Sequence, residues 1–100
     1  MTTGTVVVEM HEASADHRPG RWHPESPDRL VAVTAGLRRA GLGEALVRVV
    51  PEPAGRTDLE RVHRAGYLDA MEAFCAAGGG DIDPDTVVVE QSWRAALAGA

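Results

Sequence analysis

The chain has 100 residues, with 10 basic and 15 acidic side chains, a net charge of −5 and a single cysteine. This length allows one small domain with a modest core. The acidic balance disfavours nucleic-acid binding, which needs clustered lysines and arginines, and a lone cysteine without an internal disulfide favours a reducing compartment.

The N-terminus and the apolar runs of the chain indicate in which compartment the protein is expected. No stretch approaches the apolar length that spans a bilayer. The first ten residues, MTTGTVVVEM, lack the basic start and the long apolar run of a signal peptide. We therefore expect a cytoplasmic protein with no membrane partner, and the composition indicates no oligomeric state.

The first half of the chain predicts a strand, a loop, a helix and a second strand. The β-branched run at residues 5–10 predicts a strand buried on both faces, as in a parallel sheet. Residues 11–25 predict a polar loop, and loops of this length in compact domains are usually functional or disordered. Ser26 suits an N-cap and Gly41 a C-cap, so a helix is predicted between them. ALVRVVP, residues 45–51, predicts the second strand.

The second half predicts mostly helices. Thr57 and Glu60 have the spacing of a capping box, which predicts a short helix beginning near Thr57. A second helical pattern ends at three glycines, and its predicted core positions are Leu68, Met71, Phe74 and Cys75. The residues DIDPD predict a loop, TVVVE a brief strand, and SWRAALAGA a helix with Ser92 as its N-cap. The order predicts an α/β architecture with a parallel sheet, whose further strands come from elsewhere because two strands are too few.

Histidines are concentrated in the loop of residues 11–25, which holds His11, His17 and His23 beside several carboxylates. Both residue types are zinc ligands. Their spacing matches no zinc motif, so solvated or supporting histidines are the better interpretation. Cys75 is interpreted as a small buried hydrophobe, because no basic partner is placed beside it to make it a nucleophile.

Arg29 falls in the first turn of the predicted helix, where a cation opposes the helix dipole. A surface arginine at this position would be mildly unfavourable. A buried partner or a functional pocket would justify it, and the residues alone leave both interpretations open.

The segment HPESPDRL, residues 23–30, resembles the motif H-P-E-x-P-x-R-L of the histone deacetylase superfamily, which includes acetoin-utilisation proteins and acetylpolyamine amidohydrolases. Four further segments follow the family in the right order, and one of them, AGLRRAGL, resembles the end of the family's first helix. HRPGRWHPE resembles its first loop, VHRAGYLDAME resembles V-H-x-x-x-Y-L-x-x-L-E, and DPDTVVVEQSWRAALAGA resembles its D-x-D-T-x-x-x-x-x-S-x-x-A-A-L-x-A segment. The resemblance covers nearly all of the chain.

This resemblance implies an arginase/deacetylase-like α/β fold with a mainly parallel sheet, and a zinc-dependent hydrolase that removes acetyl groups from acetyl-lysine or acetylpolyamine substrates. The family's metal ligands and histidine pair lie beyond the segment that matches residues 92–100, and this chain has no adjacent histidine pair and no D-x-H. Residues 1–100 are therefore expected to be the N-terminal part of one deacetylase domain, truncated before the zinc site. Zn²⁺ would bind the full-length parent and not these residues, which hold no catalytic group. The alternative is a truncated, non-catalytic relative or binding module.

Carried over by position, the resemblance places His17, Asp83 and Asp85 at the rim of the substrate entrance. One rim aspartate of the family accepts hydrogen bonds from substrate backbone amides. Asp83 is slightly preferred over Asp85, and turn capping is the alternative for both. Arg29 would lie beside the internal channel, where a buried cation could attract the acetate product. The path of the first loop would be fixed by His23 and Pro24.

Trp22 departs from the family pattern, because many relatives have a small residue there. Its bulky side chain could narrow the entrance to the site. It could instead pack beneath the first loop, and the sequence leaves both interpretations open.

Overall fold

The computed structural model describes residues 4–100; Met1–Thr3, which contribute to the predicted lack of a signal peptide, lie outside the described range. In chain order the elements are β1 (Val6–Glu9), a 3-10 helix (Glu12–Asp16), α1 (Asp28–Arg39), β2 (Leu46–Val49), α2 (Arg56–Leu59), α3 (Ala65–Ala76), β3 (Gly79–Asp83), β4 (Thr86–Val89) and α4 (Ser92–Gly99). Within residues 4–100, no helix is long and apolar enough to cross a membrane.

β1 and β2 form a parallel pair, in which Val6 lies opposite Leu46 and Glu9 opposite Val49. α1 lies between the two strands in sequence and provides the crossover that a parallel pair requires. The predicted α/β class and parallel sheet are thus confirmed. The predicted burial of β1 on both faces is wrong in the described residues, since Val7 is 60% exposed. The reason is that the sheet has two strands in this part of the chain, which leaves its valines uncovered.

The ends of α1 follow the predicted signals closely. The helix begins at Asp28, because Pro27 takes the cap position one residue later than the predicted Ser26. Ser26 still contributes, since its Oγ accepts a hydrogen bond from the Asp28 N–H at 3.2 Å. Beyond the last turn, the Gly41 N–H donates to the Arg38 carbonyl at 3.1 Å. Ala40 takes the C-cap position, one residue before the predicted Gly41, and Gly41 follows it with a φ of +72°, a left-handed conformation that glycine adopts at low cost.

Arg56 organises the junction between α2 and α3. The predicted capping box is wrong, since α2 begins one residue before Thr57 and has a glycine as its cap. Glu60 instead accepts a hydrogen bond from Arg56 Nε at 3.1 Å, while Arg56 Nη2 donates to the Ala65 carbonyl at 2.8 Å and to Asp69. The hydrogen bond with Glu60, followed by the interactions with Asp69, raises the pKa of Arg56 although desolvation opposes the shift.

Replacing Arg56 with lysine keeps the charge but removes the planar fork that reaches three acceptors. We expect the α2–α3 junction to loosen, which would be measured as faster amide hydrogen exchange between residues 61 and 68. The matched control is Arg61→Lys, because the Arg61 side chain makes no ion pair within residues 4–100. Equal exchange rates in the two variants would contradict this role.

β3 and β4 form an antiparallel hairpin with an irregular register between Asp81 and Asp83. The strand predicted at TVVVE is confirmed as β4. The loop predicted at DIDPD is wrong for its first residues, which belong to β3. Gly79 has a φ of +77°, so the chain reverses direction directly after α3 and returns as a strand. Glycine disfavours strands and carries no side-chain pattern, which explains why composition did not indicate β3.

The core of the described residues is small and lies between α3, α4, the hairpin and the 3-10 helix. Its buried hydrophobic residues are Ala13, Leu68, Cys75, Val88 and Ala98. Two of the four predicted core positions in α3 are therefore confirmed, and Met71 is half-buried. The prediction for Phe74 is wrong, because Phe74 is 37% exposed.

Candidate functional site

Two segments that are far apart in sequence meet on one side of the molecule. The first loop, residues 11–25, contacts the hairpin turn, residues 83–86, and the start of α4. The contacts join residues separated by 62 and 75 positions. The first loop is also more regular than predicted, since residues 12–16 form the 3-10 helix that packs on α4. These contacts hold the two segments together.

His23 is held at both nitrogens of its ring. The Glu25 N–H donates to Nδ1 at 3.0 Å, and Nε2 lies 2.8 Å from the Asp85 carbonyl oxygen. A backbone N–H can only donate and a carbonyl can only accept, so in this arrangement Nδ1 accepts and Nε2 donates. Pro24 lies between these bonded residues and has no N–H to contribute. His23 and Pro24 thus lie where a loop-fixing role requires them, and that role stays a prediction.

His17 reaches across to Ser92, with Nδ1 2.6 Å from Oγ. Ser92 is 6% exposed, and its Oγ also accepts a hydrogen bond from the Val89 N–H at 2.8 Å. Ser92 Oγ therefore links the Val89 backbone to the His17 ring within the described residues. The predicted N-cap role of Ser92 is wrong, because Gln91 takes the cap position and Ser92 is the first helical residue. No local spacing could have indicated a contact between residues so distant in sequence.

Ion pairs and a cap reinforce the start of the first loop. Arg94 in α4 lies 3.3 Å from Glu12 and 4.0 Å from Asp16, both in the 3-10 helix. These pairs are exposed, so each contributes little stability. His11 accepts a hydrogen bond at Nδ1 from the N–H of Ala13, which is fully buried, at 3.0 Å. The loop is therefore fixed by histidine hydrogen bonds more than by charge pairs.

The two predicted rim aspartates lie in and beside the hairpin turn. Asp83 accepts a hydrogen bond at Oδ1 from the Asp85 N–H at 2.9 Å. Hydrogen bonds from the Thr86 side chain, then from the Asp85 and Thr86 amides, lower the pKa of Asp83 below its ordinary 3.8. Turn capping therefore describes Asp83 in this structure. Asp85 is exposed, and its carbonyl oxygen is the atom that meets His23.

Thr86→Val should raise the pKa of Asp83 toward its ordinary value of 3.8, because it removes the largest cause of the shift. Since the folded-state pKa is depressed, the carboxylate stabilises the turn above that value, and this contribution is lost as the pH falls through the folded-state pKa. The measurement is an NMR titration of the Asp83 carboxyl carbon. The carboxyl of Asp81 in the same strand serves as the internal control, and an unchanged Asp83 titration would contradict the assignment.

Arg29 is not buried, contrary to expectation. Its side chain is 68% exposed and its Nη1 donates to Glu25 Oε2 at 2.8 Å. Glu25 is four residues earlier and offsets the unfavourable position of a cation at a helix start. The predicted role beside an internal channel implied a buried Arg29 side chain, and within the described residues that side chain is exposed.

An open groove runs between α1, α3 and α4, with a volume of about 630 Å³. Its apolar wall includes Leu30, Val33, Leu68, Met71, Cys75, Val88 and Leu97. Its polar lining includes His17, Glu25, Arg29 and Ser92. The structure thus brings His17 and Arg29 to one groove, and joins His23 to Asp85 at the adjoining turn.

Trp22 projects from the first loop into solvent. It is 88% exposed, and the Arg21 guanidinium carbon lies 5.2 Å from the centre of its ring. The interpretation that Trp22 packs beneath the loop is therefore wrong for this structure. Its position on the first loop leaves it available to narrow an entrance.

The described residues do not fit a zinc site. Among residues 4–100, no group of three or more histidine, cysteine or acidic side chains is arranged to hold a metal ion. The Nδ1 atoms of the three histidines in the first loop are engaged in hydrogen bonds instead. No chemical step is therefore assigned to zinc at these residues.

The family model of the histone deacetylase domain matches residues 23–100. A histone deacetylase-like amidohydrolase of Pseudomonas aeruginosa is 35% identical over 78 residues, which are 78% of this chain and 20% of that protein. A probable deacetylase of Methanothermobacter thermautotrophicus is 29% identical over 94 residues, which are 94% of this chain and 28% of that protein. The crystal structure of the HDA15 HD domain matches with a TM-score of 0.81 and 28% identity, over 97% of this chain and 29% of that one.

The chain thus spans between a fifth and three tenths of the length of these proteins. The structural match confirms the fold class that the motifs predicted. Because the family match begins at His23, includes the hairpin turn and runs to the last residue, the chain belongs to the histone deacetylase family.

Proposed function

We propose that this chain is part of a zinc-dependent deacetylase, a hydrolase that removes acetyl groups from acetyl-lysine or acetylpolyamine substrates. The observation that carries the proposal is the family match from residue 23 to residue 100, which includes both sides of the His23–Asp85 hydrogen bond. That bond holds together the two segments proposed to border the substrate entrance. The proposal rests on family membership and on this geometry.

In this proposal the chain supplies the rim of the entrance and no catalytic residue. Asp83 and Asp85 are exposed at the hairpin turn, and a carboxylate there can accept hydrogen bonds from substrate N–H groups. The lowered pKa of Asp83 keeps it ionised at neutral pH. Arg29 presents its guanidinium at the groove, where it would attract an acetate ion. Zinc would be held by ligands other than residues 4–100, since those residues form no site for it.

The remaining features of the proposal come from composition. A cytoplasmic location is proposed from the lone cysteine, which favours a reducing compartment. The net charge of −5 disfavours nucleic acid and favours a cationic polyamine or a basic protein tail as substrate.

The test uses the protein at the length at which its native cell makes it. Acetate release would be measured with an acetyl-lysine peptide and with an N-acetylated diamine, before and after removal of metal by a chelator. We expect release from at least one substrate, its loss on chelation and its recovery with Zn²⁺. No release from either substrate by the zinc-loaded protein would contradict the proposal. It would support the non-catalytic alternative.

Asp83→Asn and Asp85→Asn distinguish the two rim candidates in the same protein. Loss of a hydrogen bond to a charged acceptor should raise KM about tenfold or more, and we expect this for Asp83. The Asp85 variant serves as the matched control, because its carbonyl oxygen, which meets His23, is retained. A larger rise in KM for Asp85→Asn would reverse the assignment.

A further inference from the structure

Trp22 is the most exposed large hydrophobic residue among residues 4–100, at 88%. The other tryptophan, Trp93, is half-buried in α4 and lines the groove. A tryptophan combines a large apolar ring with a polar N–H, and such side chains are enriched at surfaces that bind a partner. The position of Trp22 on the first loop therefore places a binding surface beside the proposed substrate entrance.

The backbone around Trp22 is held in place by hydrogen bonds of the residue that follows it. The His23 N–H donates to the Gly20 carbonyl at 3.1 Å and closes a turn with Arg21 and Trp22 at its centre. The His23 ring lies 2.8 Å from the Asp85 carbonyl oxygen, in the hairpin turn. Trp22 thus lies at the tip of a hydrogen-bonded turn that is attached to the hairpin turn.

The ring of Trp22 already attracts a cation. The Arg21 guanidinium carbon lies 5.2 Å from the ring centre, within the distance of a cation–π interaction. Arg21 forms no ion pair with a carboxylate within residues 4–100. Because Trp22 is still 88% exposed, most of its ring surface remains open to a second cation.

The hairpin to which His23 is bonded is acidic. Residues 79–89 contain Asp81, Asp83 and Asp85 and no basic residue. All three aspartates are exposed, and none forms an ion pair with a residue of the described range. The three acidic side chains of the first loop differ, since each is paired with an arginine. Unpaired carboxylates beside an open indole ring favour a cationic ligand over an anionic one.

We propose that Trp22 is a specificity-determining residue, whose ring binds a positively charged group of the substrate other than the acetylated nitrogen. This inference rests on the proposed function, because it assigns a substrate class to the same entrance. The ligand is an ammonium or guanidinium group on the molecule that carries the acetyl amide. An acetylpolyamine carries such a group on its own chain, and a basic protein tail carries it on a neighbouring side chain.

Arg21 and Trp22 have opposite roles in this recognition. The Arg21 guanidinium belongs to the adjacent residue, so it competes with a substrate cation for the ring. It also repels that cation as a like charge. Loss of the Trp22 ring should therefore weaken the preference for a charged substrate, whereas loss of the Arg21 guanidinium should strengthen it.

The experiment compares kcat/KM for two matched pairs of acetylated substrates, with the protein at the length at which its native cell makes it. One pair is an acetyl-lysine peptide with arginine or its neutral isostere citrulline beside the acetyl-lysine. The other is an N-acetylated diaminobutane and the N-butylacetamide that lacks the second amine. Within a pair, the ratio of kcat/KM for the charged over the neutral substrate measures recognition of the cation. We expect a ratio above one for at least one pair, and the pair with the larger ratio identifies the source.

Trp22→Ala should lower this ratio about twofold to fivefold, the factor that an exposed cation–π contact contributes. Trp22→Phe should give an intermediate ratio, because phenylalanine retains a weaker ring. Arg21→Ala should raise the ratio about twofold or more. Val62→Ala is the control, since Val62 is 78% exposed and lies between α2 and α3; its ratio should equal that of the unaltered protein.

Three results would overturn the proposal. The first is a ratio of one for both substrate pairs in the unaltered protein, and the second is an unchanged ratio in Trp22→Ala. The third is a lower ratio in Arg21→Ala, which would assign the turn to an anionic group.

A second measurement does not depend on acetate release. The indole N–H resonance of Trp22, assigned with the Trp22→Phe variant, would be followed by NMR during titration with the N-acetylated diaminobutane and with N-butylacetamide. We expect it to shift with the charged compound alone. A protein that releases no acetate but shows this shift would contradict the proposed function and leave the cation site intact. Acetate release without the shift, and with equal ratios in the Trp22 variants, would contradict the cation site alone.

Discussion

Gly79→Ala is expected to destabilise the folded chain by about 3 kcal/mol or more, through backbone strain and a steric clash. Gly79 has a φ of +77°, where a side chain is strained in any surroundings. A Cβ at this position would lie 2.2 Å from the carbonyl oxygen of Val88, in the paired strand β4. Both partners are backbone, so β3 and β4 would have to separate. The urea midpoint, followed by circular dichroism, measures the effect.

Gly66→Ala is the matched control, because Gly66 lies in α3 and a Cβ there meets open space. We expect this variant to gain about 0.5–1 kcal/mol, since alanine favours helix more than glycine does. Opposite shifts of the two midpoints would support the hairpin as described. A Gly79→Ala chain with the midpoint of the unaltered chain would contradict it.

Ser92→Ala has the second largest expected effect, a loss of about 2 kcal/mol. The change removes the acceptor of the Val89 N–H and the hydrogen-bond partner of His17 Nδ1 in a single step. Because Ser92 is buried, water cannot easily replace either bond. Faster amide exchange in residues 11–17 should accompany the loss of stability, since the first loop is no longer tied to α4.

Ser14→Ala is the comparison for this change. Ser14 also lines the groove, but its hydroxyl makes no hydrogen bond within the described residues. We expect its free energy of unfolding to stay within about 0.5 kcal/mol of the unaltered chain. Equal stability in the two serine variants would show that the Ser92 hydroxyl does not fasten the loop.

The parts of the fold that could be predicted are those specified by local residues. The β-branched runs indicated β1, β2 and β4, and Gly41 indicated the end of α1. β3 could not be predicted, because two of its residues are glycines that carry no apolar alternation. The capping-box spacing at Thr57 was misleading. Arg56 contacts the Ala65 carbonyl and Asp69, and the local spacing of Thr57 and Glu60 does not describe these contacts.

The positions of the candidate site were predicted from a family motif and not from local structural signals. The motif from His23 to Leu30 indicated the family, and with it the rim positions. The contacts that assemble the rim could not be predicted, because they join His17 to Ser92 and His23 to Asp85 across most of the chain. The exposure of Arg29 was also unexpected, since its neutralising partner Glu25 precedes the helix and lies in the first loop.

The long sequence separation between His17 and Ser92 has a consequence for biosynthesis. A ribosome that adds about 5–20 residues per second completes the intervening 75 residues in roughly 4–15 s. Throughout that interval His17 lacks its partner, because Ser92 has not yet been added. Bringing together residues so far apart in sequence costs chain entropy, and the formation of a local helix does not carry this cost. The contact of the first loop with α4 therefore forms no sooner than Ser92 has been added, and a chaperone that recognises this loop would have seconds in which to bind.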